Sequence, residues 1–212
     1  ADLLGVPLPE SVGGGGYGVV EASLVAEQVG RHVAPVPYAP TMACALLLGE
    51  LGGHDDLLRG VIAGDVVLTP ALSEGPTDTT AAPVTTADAD GRLTGGKAFV
   101  PWAAQAARLL VPASTADGVA LFLVDPSSSG VTVTAEDAMW GLPQGIVELE
   151  RAEGVQVGGA DAVAQLERLA LALTCATVAG TCEGALRITA TYVKEREQFG
   201  TKIGTFQAVG QR

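Results

Sequence analysis

The sequence predicts an α+β chain with its layers segregated: helices first, an all-β module in the middle, one long helix at the end. Three observations predict it. Residues 19–63 show helical periodicity broken by Gly and Pro. From Asp65 onward come short runs rich in Val, Thr and Leu, parted by Gly, Pro, Asp and Ser. Asp161 to about Glu197 then reads as one uninterrupted helix. These changes divide the chain into an N-terminal helical part, residues 1–64, a central β domain, residues 65–158, and the start of a C-terminal helical domain, residues 159–212.

Ala1 to Tyr17 is loop-like, with Pro7, Pro9, Gly13 to Gly16 and Gly18. A glycine run cradles phosphate where it joins a strand to a helix with a lysine or with fingerprint spacing. PLPES is no strand and no Lys follows, so the run reads as a tight turn into a helix. Val19 to His32 forms that helix, with Val20, Leu24, Val25 and Val29 on one side and Glu21, Glu27 and Arg31 on the other. PVPYAP is a rigid spacer, after which Thr41 is expected to cap a helix from Met42 to Leu51 that stops at Gly52-Gly53. His54 falls in a loop before a short helix, Asp55 to Ala63, and reads as a surface residue; His32, at a helix end, answers the helix dipole.

The middle holds about seven strands, a sandwich or barrel: VVLTPAL, APVTTADA, RLTGGKAFV, ARLLVPAST, GVALFLVD, GVTVTAE and VELERAEGVQV. ARLLVPAST and GVALFLVD, joined at ADG, make the clearest hairpin.

The final helix is on the order of 55 Å long at 1.5 Å per residue. Leu169 to Cys182 carries no charge, and a helix apolar on every side is buried on every side. It is expected at the centre of a bundle larger than this chain supplies, covered by further residues or by a partner subunit. The sequence therefore reads as part of a longer chain, missing material at its start as well. The uncharged run is shorter than the ~20 residues of a membrane span. Gly180 and Gly184, four apart, would admit another backbone closely; Gly200 is expected to break the helix, and Thr205 to cap a new one at Phe206.

A net charge of −12 excludes a nucleic-acid surface, which needs clustered Lys and Arg. Any phosphate must be held locally. The three cysteines, Cys44, Cys175 and Cys182, have neither CxxC nor zinc spacing and read as small core residues of a reducing, cytoplasmic protein. No signal peptide, Ser-His-Asp set, metal cluster, Walker loop or dinucleotide fingerprint is present. One tract stands out: Arg196, Gln198, Lys202, Thr205 and Gln207, with Phe199 and Phe206 among them. A basic, amide-rich turn holding two aromatics suits an anionic aromatic ligand such as a nucleotide. It equally suits a capped helix end at a subunit contact.

The stretch YVKEREQFGTKIGTFQAV closely resembles the signature of acyl-CoA dehydrogenases, in which an Arg, a Phe-Gly pair and a later Gln follow a long helix. LTGGKAFVPWAAQAARLLV, ALSE and ALFLVD…GVTV resemble β-domain segments of that family, in the family's order. The resemblance implies a homo- or heterotetrameric flavoprotein that binds FAD and oxidises an acyl-CoA thioester between its α and β carbons. It places Arg196, Gln198, Phe199 and Gln207 on the ADP part of an FAD held mainly by the neighbouring subunit. Ser73 stands where a Thr normally bonds the flavin, and Phe99 where a Trp normally stacks on it. GPTDTT replaces the family's longer Gly-rich turn ending in Ser-Asp, and Pro101 stands where a flavin-contacting Thr is usual.

The family's catalytic base is a Glu, in most members beyond the region matched here and in a minority on the long helix. Glu167 in LERL resembles the minority form, yet counting back from Arg196 the equivalent position is Ala170. Glu167 thus reads also as an ordinary polar residue of the helix start, with the base outside residues 1–212. Two other functions fit the same resemblance: a non-catalytic partner subunit that lends its turn to another chain's flavin, and an acyl-CoA oxidase-like flavoenzyme.

Overall fold

The computed structural model describes residues 3–75, 79–136, 138–139 and 141–210. Three helices come first: α1 (Val19–Arg31), α2 (Tyr38–Leu51) and α3 (Asp55–Ala63). Seven strands follow: β1 (Leu68–Pro70), β2 (Thr86–Ala87), β3 (Arg92–Pro101), β4 (Arg108–Thr115), β5 (Gly118–Val124), β6 (Val131–Glu136) and β7 (Gln144–Gly159). The long helix α4 is Ala160–Glu195. Each of the seven predicted strand runs overlaps one observed strand, and β7 extends past its run at both ends.

The sheet closes on itself. Its order is β1-β4-β2-β3-β7-β5, and β5 pairs back onto β4, so five strands form a ring. β1 rides on β4, and β6 on β7. The 16-residue β7 serves both sides of the ring: its first half pairs with β3 and β6, its second half with β5. The predicted β4–β5 hairpin is present, with Thr115 opposite Gly118.

Strand alternation sorts the β4 and β5 side chains between two cores. Leu109, Val111 and Ala113, with Ala120, Phe122 and Val124, point into the barrel. Leu110 and Leu121, between them in sequence, join the helical core beside α2 and α4. Both faces are buried, which is why these runs read as almost unbroken hydrophobic stretches.

Within this chain the helix buried on every side is α2, while the uncharged part of α4 is covered along one side. Tyr38 and Thr41 through Leu48 are all inaccessible. The helix starts at Tyr38, a turn earlier than expected, because Pro40 is tolerated in a first helical turn. Thr41 therefore caps nothing; its hydroxyl donates to the Leu68 carbonyl at 3.0 Å and ties α2 to β1. In α4 only one stripe is buried, Leu166, Leu169, Leu173, Gly180 and Gly184 among it, while Leu171, Val178, Leu186 and Ile188 are exposed. Cys175 and Cys182 lie on its open side and are not core residues; Cys44, on α2, is. By length and composition α4 is apolar enough to cross a membrane, a test that core helices also pass. Its buried stripe packs on α1 and α2.

The packing of α1 on α4 corrects the expected α1 face. Val20 and Leu24 are exposed; the buried residues are the small ones, Ala22, Ala26 and Gly30. Facing them are Gly180 and Gly184, and the backbones touch. A Cβ on Gly180 would lie 1.8 Å from the Glu27 carbonyl oxygen, and one on Gly30 would lie 1.9 Å from that of Thr177. Thr181 Oγ1 donates to the Gly30 carbonyl at 3.1 Å, and Arg31 bridges Glu27 and Glu183 across the seam. Gly180→Ala is expected to force the helices apart and destabilise the fold by about 3 kcal/mol, the upper range for overpacking. Urea unfolding would show a lower midpoint, while Ala179→Gly, beside it, would produce a far smaller shift.

Candidate functional site

The residues singled out in the sequence fall into two groups. At the far end of α4, Glu195 is the last helical residue; Arg196 is extended, and its N–H donates to the Tyr192 carbonyl at 2.8 Å. The chain then makes a miniature hairpin of β8 (Glu197–Gln198) and β9 (Thr201–Lys202). Its two loop residues, Phe199 and Gly200, both have positive φ, 54° and 79°, the pattern of a type I′ turn. Gly200 thus turns a hairpin rather than ending a helix. Ile203 N–H donates to the Arg196 carbonyl at 2.9 Å and closes the loop. Thr205 does not cap the next helical turn, α5 (Gln207–Gly210); its hydroxyl donates to the Lys202 carbonyl at 2.7 Å.

The hairpin pushes the Phe199 ring outward. It is 94% exposed and stands edge-to-face with Phe206, centroids 6.4 Å apart. Arg196, Gln198 and Gln207 are exposed around it. Neither Arg196 nor Lys202 has an ion-pair partner among the described residues. A bare aromatic face beside two unpaired cations, on a protein of net charge −12, is chemically matched to a purine and a pyrophosphate.

The second group lies where β1 runs into the following loop, against β3. The carbonyl of Ser73 accepts the Ala98 N–H at 2.8 Å, and its hydroxyl donates to the Gly75 carbonyl at 3.2 Å. Phe99 is half exposed, with φ 55°, where the β3–β7 register shifts between Lys97 and Val100. Ser73 and Phe99 are therefore neighbours, as an aromatic face and a hydroxyl serving one ring would need to be. Pro101, without an N–H of its own, uses its carbonyl to accept the Thr69 hydroxyl at 2.5 Å.

Between them lies a pair that the sequence reading missed. Lys97, only 1% exposed, donates from Nζ to Glu74 Oε1 at 2.7 Å. The Glu74 carboxylate also accepts Val84 N–H at 2.5 Å and Thr85 N–H at 2.8 Å. Burial pushes this carboxyl up, but the bonds from Lys97, Thr85 and Val84 outweigh it and hold it down to about 2. A signal existed: β3 alternation puts Lys97 at an inward position, which demands a carboxylate, and Glu74 in ALSE supplies it.

Glu167, the candidate base, lies on the outer side of α4 and accepts the Thr80 hydroxyl at 2.8 Å. Its distance from Arg196 along the helix is about 43 Å. His32 ends α1, with Nδ1 2.9 Å from the Gln28 carbonyl, and His54 precedes α3. No group of three or more metal-ligating side chains occurs among the described residues. The residues of GPTDTT numbered 76–78 lie outside the described ones.

This order of parts, with a barrel between helical segments and a polar turn at the end of a long helix, defines a class. Residues 1–56 match the acyl-CoA dehydrogenase N-terminal domain, and residues 159–212 match the acyl-CoA dehydrogenase C-terminal domain. The chain belongs to the acyl-CoA dehydrogenase family. It is 38% identical to acyl-CoA dehydrogenase FadE27 of Mycobacterium tuberculosis, over all of this chain and 58% of that protein. The fold matches a variant of the Tcur3481-Tcur3483 steroid ACAD at TM-score 0.94 and 42% identity, covering 99% of this chain and 59% of that one. It also matches the ChsE4-ChsE5 complex from Mycobacterium tuberculosis at TM-score 0.90 and 35% identity, over 99% and 59%. The chain thus spans about three fifths of the length of these relatives.

The depressed Glu74 carboxyl gives the barrel a pH signature. Its ionised form stabilises the fold fully above the ordinary value of 4.5, and that contribution fades as pH falls toward about 2. Glu74→Gln is expected to lower the melting temperature at neutral pH and to flatten its dependence on pH between those two values. Parallel curves for the two proteins would show that Glu74 does not carry this linkage.

Proposed function

We propose that this chain is part of an FAD-dependent acyl-CoA dehydrogenase subunit, acting on an acyl-CoA thioester within a homo- or heterotetramer in the cytoplasm. The observation that carries the reading is the outward-facing turn at residues 196–207. Its aromatic face and unpaired cations have no ligand to serve within their own chain. Arg196 and Gln207 would hold the diphosphate and adenine side of an FAD belonging mostly to a neighbouring subunit, with Gln198 and Phe199 packing along it. Ser73 and Phe99 would meet the flavin ring of the chain's own barrel, and the hydroxyl and the half-exposed ring fit that task. When bound, FAD accepts the hydride leaving the substrate β carbon.

The chain's own residues bind, orient and exclude water. The α proton needs a positioned carboxylate. We place it outside residues 1–212, because Glu167 is engaged by Thr80 and Ala170 has no carboxylate. The similarity to a steroid ACAD favours a bulky acyl group.

A second reading has its own support. Pro101 replaces a donor at the flavin edge, the long helix lacks a base at position 170, and a similar solved structure is a complex of two differently named proteins. On that reading the chain is a partner subunit that lends its turn to another chain's flavin. An oxidase-like enzyme on this fold is separated from both by rapid re-oxidation of its reduced flavin by oxygen.

The full-length protein is expected to purify yellow and to reduce an electron-acceptor dye with a bulky acyl-CoA. Arg196→Ala is expected to weaken FAD binding by about 10- to 100-fold, the worth of a charge-assisted phosphate contact, without moving the melting temperature of the flavin-free protein. Yellow colour appearing only on co-expression with a second subunit selects the partner reading. A protein that takes up no FAD alone or in complex sinks both.

A further inference from the structure

We propose that Glu74 and Lys97 form a positioning pair for the flavin ring, setting the spacing between the Ser73 hydroxyl and the Phe99 ring. The inference rests on the reading above that Ser73 and Phe99 meet the flavin.

Three segments with little covalent reason to stay in register converge here. One is the loop after β1, which carries Ser73 and Glu74. The second is the stretch entering β2, whose Val84 and Thr85 amides donate to the Glu74 carboxylate. The third is β3, which supplies Lys97. A single buried carboxylate therefore joins all three. The chain on either side of the pair carries the residues at issue: Ser73 immediately precedes Glu74, and Phe99 lies two residues after Lys97. Ala98, between Lys97 and Phe99, donates its N–H to the Ser73 carbonyl at 2.8 Å, so the two sides of the site are bonded directly.

The sheet itself does not hold Phe99 in place. The β3–β7 ladder shifts register between Lys97 and Val100, and the residues of a bulge are left without ladder partners. Phe99 also adopts φ 55°, a region a bulky residue avoids unless its surroundings impose it. What fixes the bulge is the pair of side chains bracketing it: Lys97, 1% exposed on its ion pair, and Val100, 1% exposed in the barrel core. Stability alone does not call for charges here, since buried ion pairs can often be exchanged for apolar residues without loss. Unlike an apolar contact, a carboxylate taking bonds from an ammonium and two amides has only one arrangement. That is the property a ring-holding site requires.

Four variants of the full-length protein test this. Lys97→Met removes one charge; Glu74→Gln/Lys97→Met removes both, and decides the matter if the single variant fails to fold. Ser73→Ala and Phe99→Ala report whether those residues meet the flavin. Without flavin, amide exchange at Val84, Thr85 and Ala98 is expected to quicken in the double variant while the melting temperature stays close to the parent's. With flavin, its FAD dissociation constant is expected to rise about tenfold, the scale seen when supporting partners of a bound group are lost. The visible circular dichroism of the flavin should shift as it does in Ser73→Ala and Phe99→Ala. If those two alter the flavin and the folded double variant does not, the positioning role is overturned and the flavin contacts stand. If none of the four alters it, the flavin contacts fail and the positioning role fails with them.

Discussion

The contact of α1 with α4 is the constraint on which the rest depends. Two helix backbones approach until carbonyl oxygens of one occupy the space a methyl group would need on the other. Only glycine permits that, and Gly30, Gly180 and Gly184 supply it. Because the seam is made by backbone, it leaves α4 little freedom to slide or roll. The helix therefore leaves the barrel in a fixed direction and delivers residues 196–207 far from it. Were α4 loosely packed, a turn at its distant end would wander by many ångströms.

The two cores answer different needs. The helical core, centred on α2, is a packed mass of Leu, Ala and Met that fixes the layers. The barrel core is smaller and closes around β3, where charge is admitted in the form of Glu74 and Lys97. The seam fixes where α4 points, and the ion pair joins the segments that carry Ser73 and Phe99. The molecule thus places the two groups of residues proposed to meet the cofactor by two separate devices, one of backbone and one of charge.

Much of this was legible in the sequence. The seven strands, the β4–β5 hairpin, the length of α4 and the close approach at Gly180 and Gly184 follow from local patterns. So does the polar turn after α4. What was not legible depended on neighbours. The α1 face was misread because hydrophobicity ranks Val20 and Leu24 above Ala22 and Gly30, whereas a backbone seam selects for smallness. Thr41 looked like a cap because Ser and Thr favour caps, but Leu68, from a distant segment, claims its hydroxyl. The Glu74–Lys97 pair joins residues 23 positions apart, a link that periodicity cannot show.

Phe199 occupies a backbone conformation that costs a bulky residue on the order of 1 kcal/mol, and glycine or asparagine there would relax it. Its ring then lies open to water, 94% exposed, with an edge-to-face contact to Phe206 for the fold that carries it. Efforts to make the isolated chain more robust would be drawn to replace it. If the turn serves a neighbouring subunit's cofactor as proposed, those same changes would strip away a feature whose benefit is collected by another molecule, and robustness of the single chain and fitness of the assembly would pull this position in opposite directions.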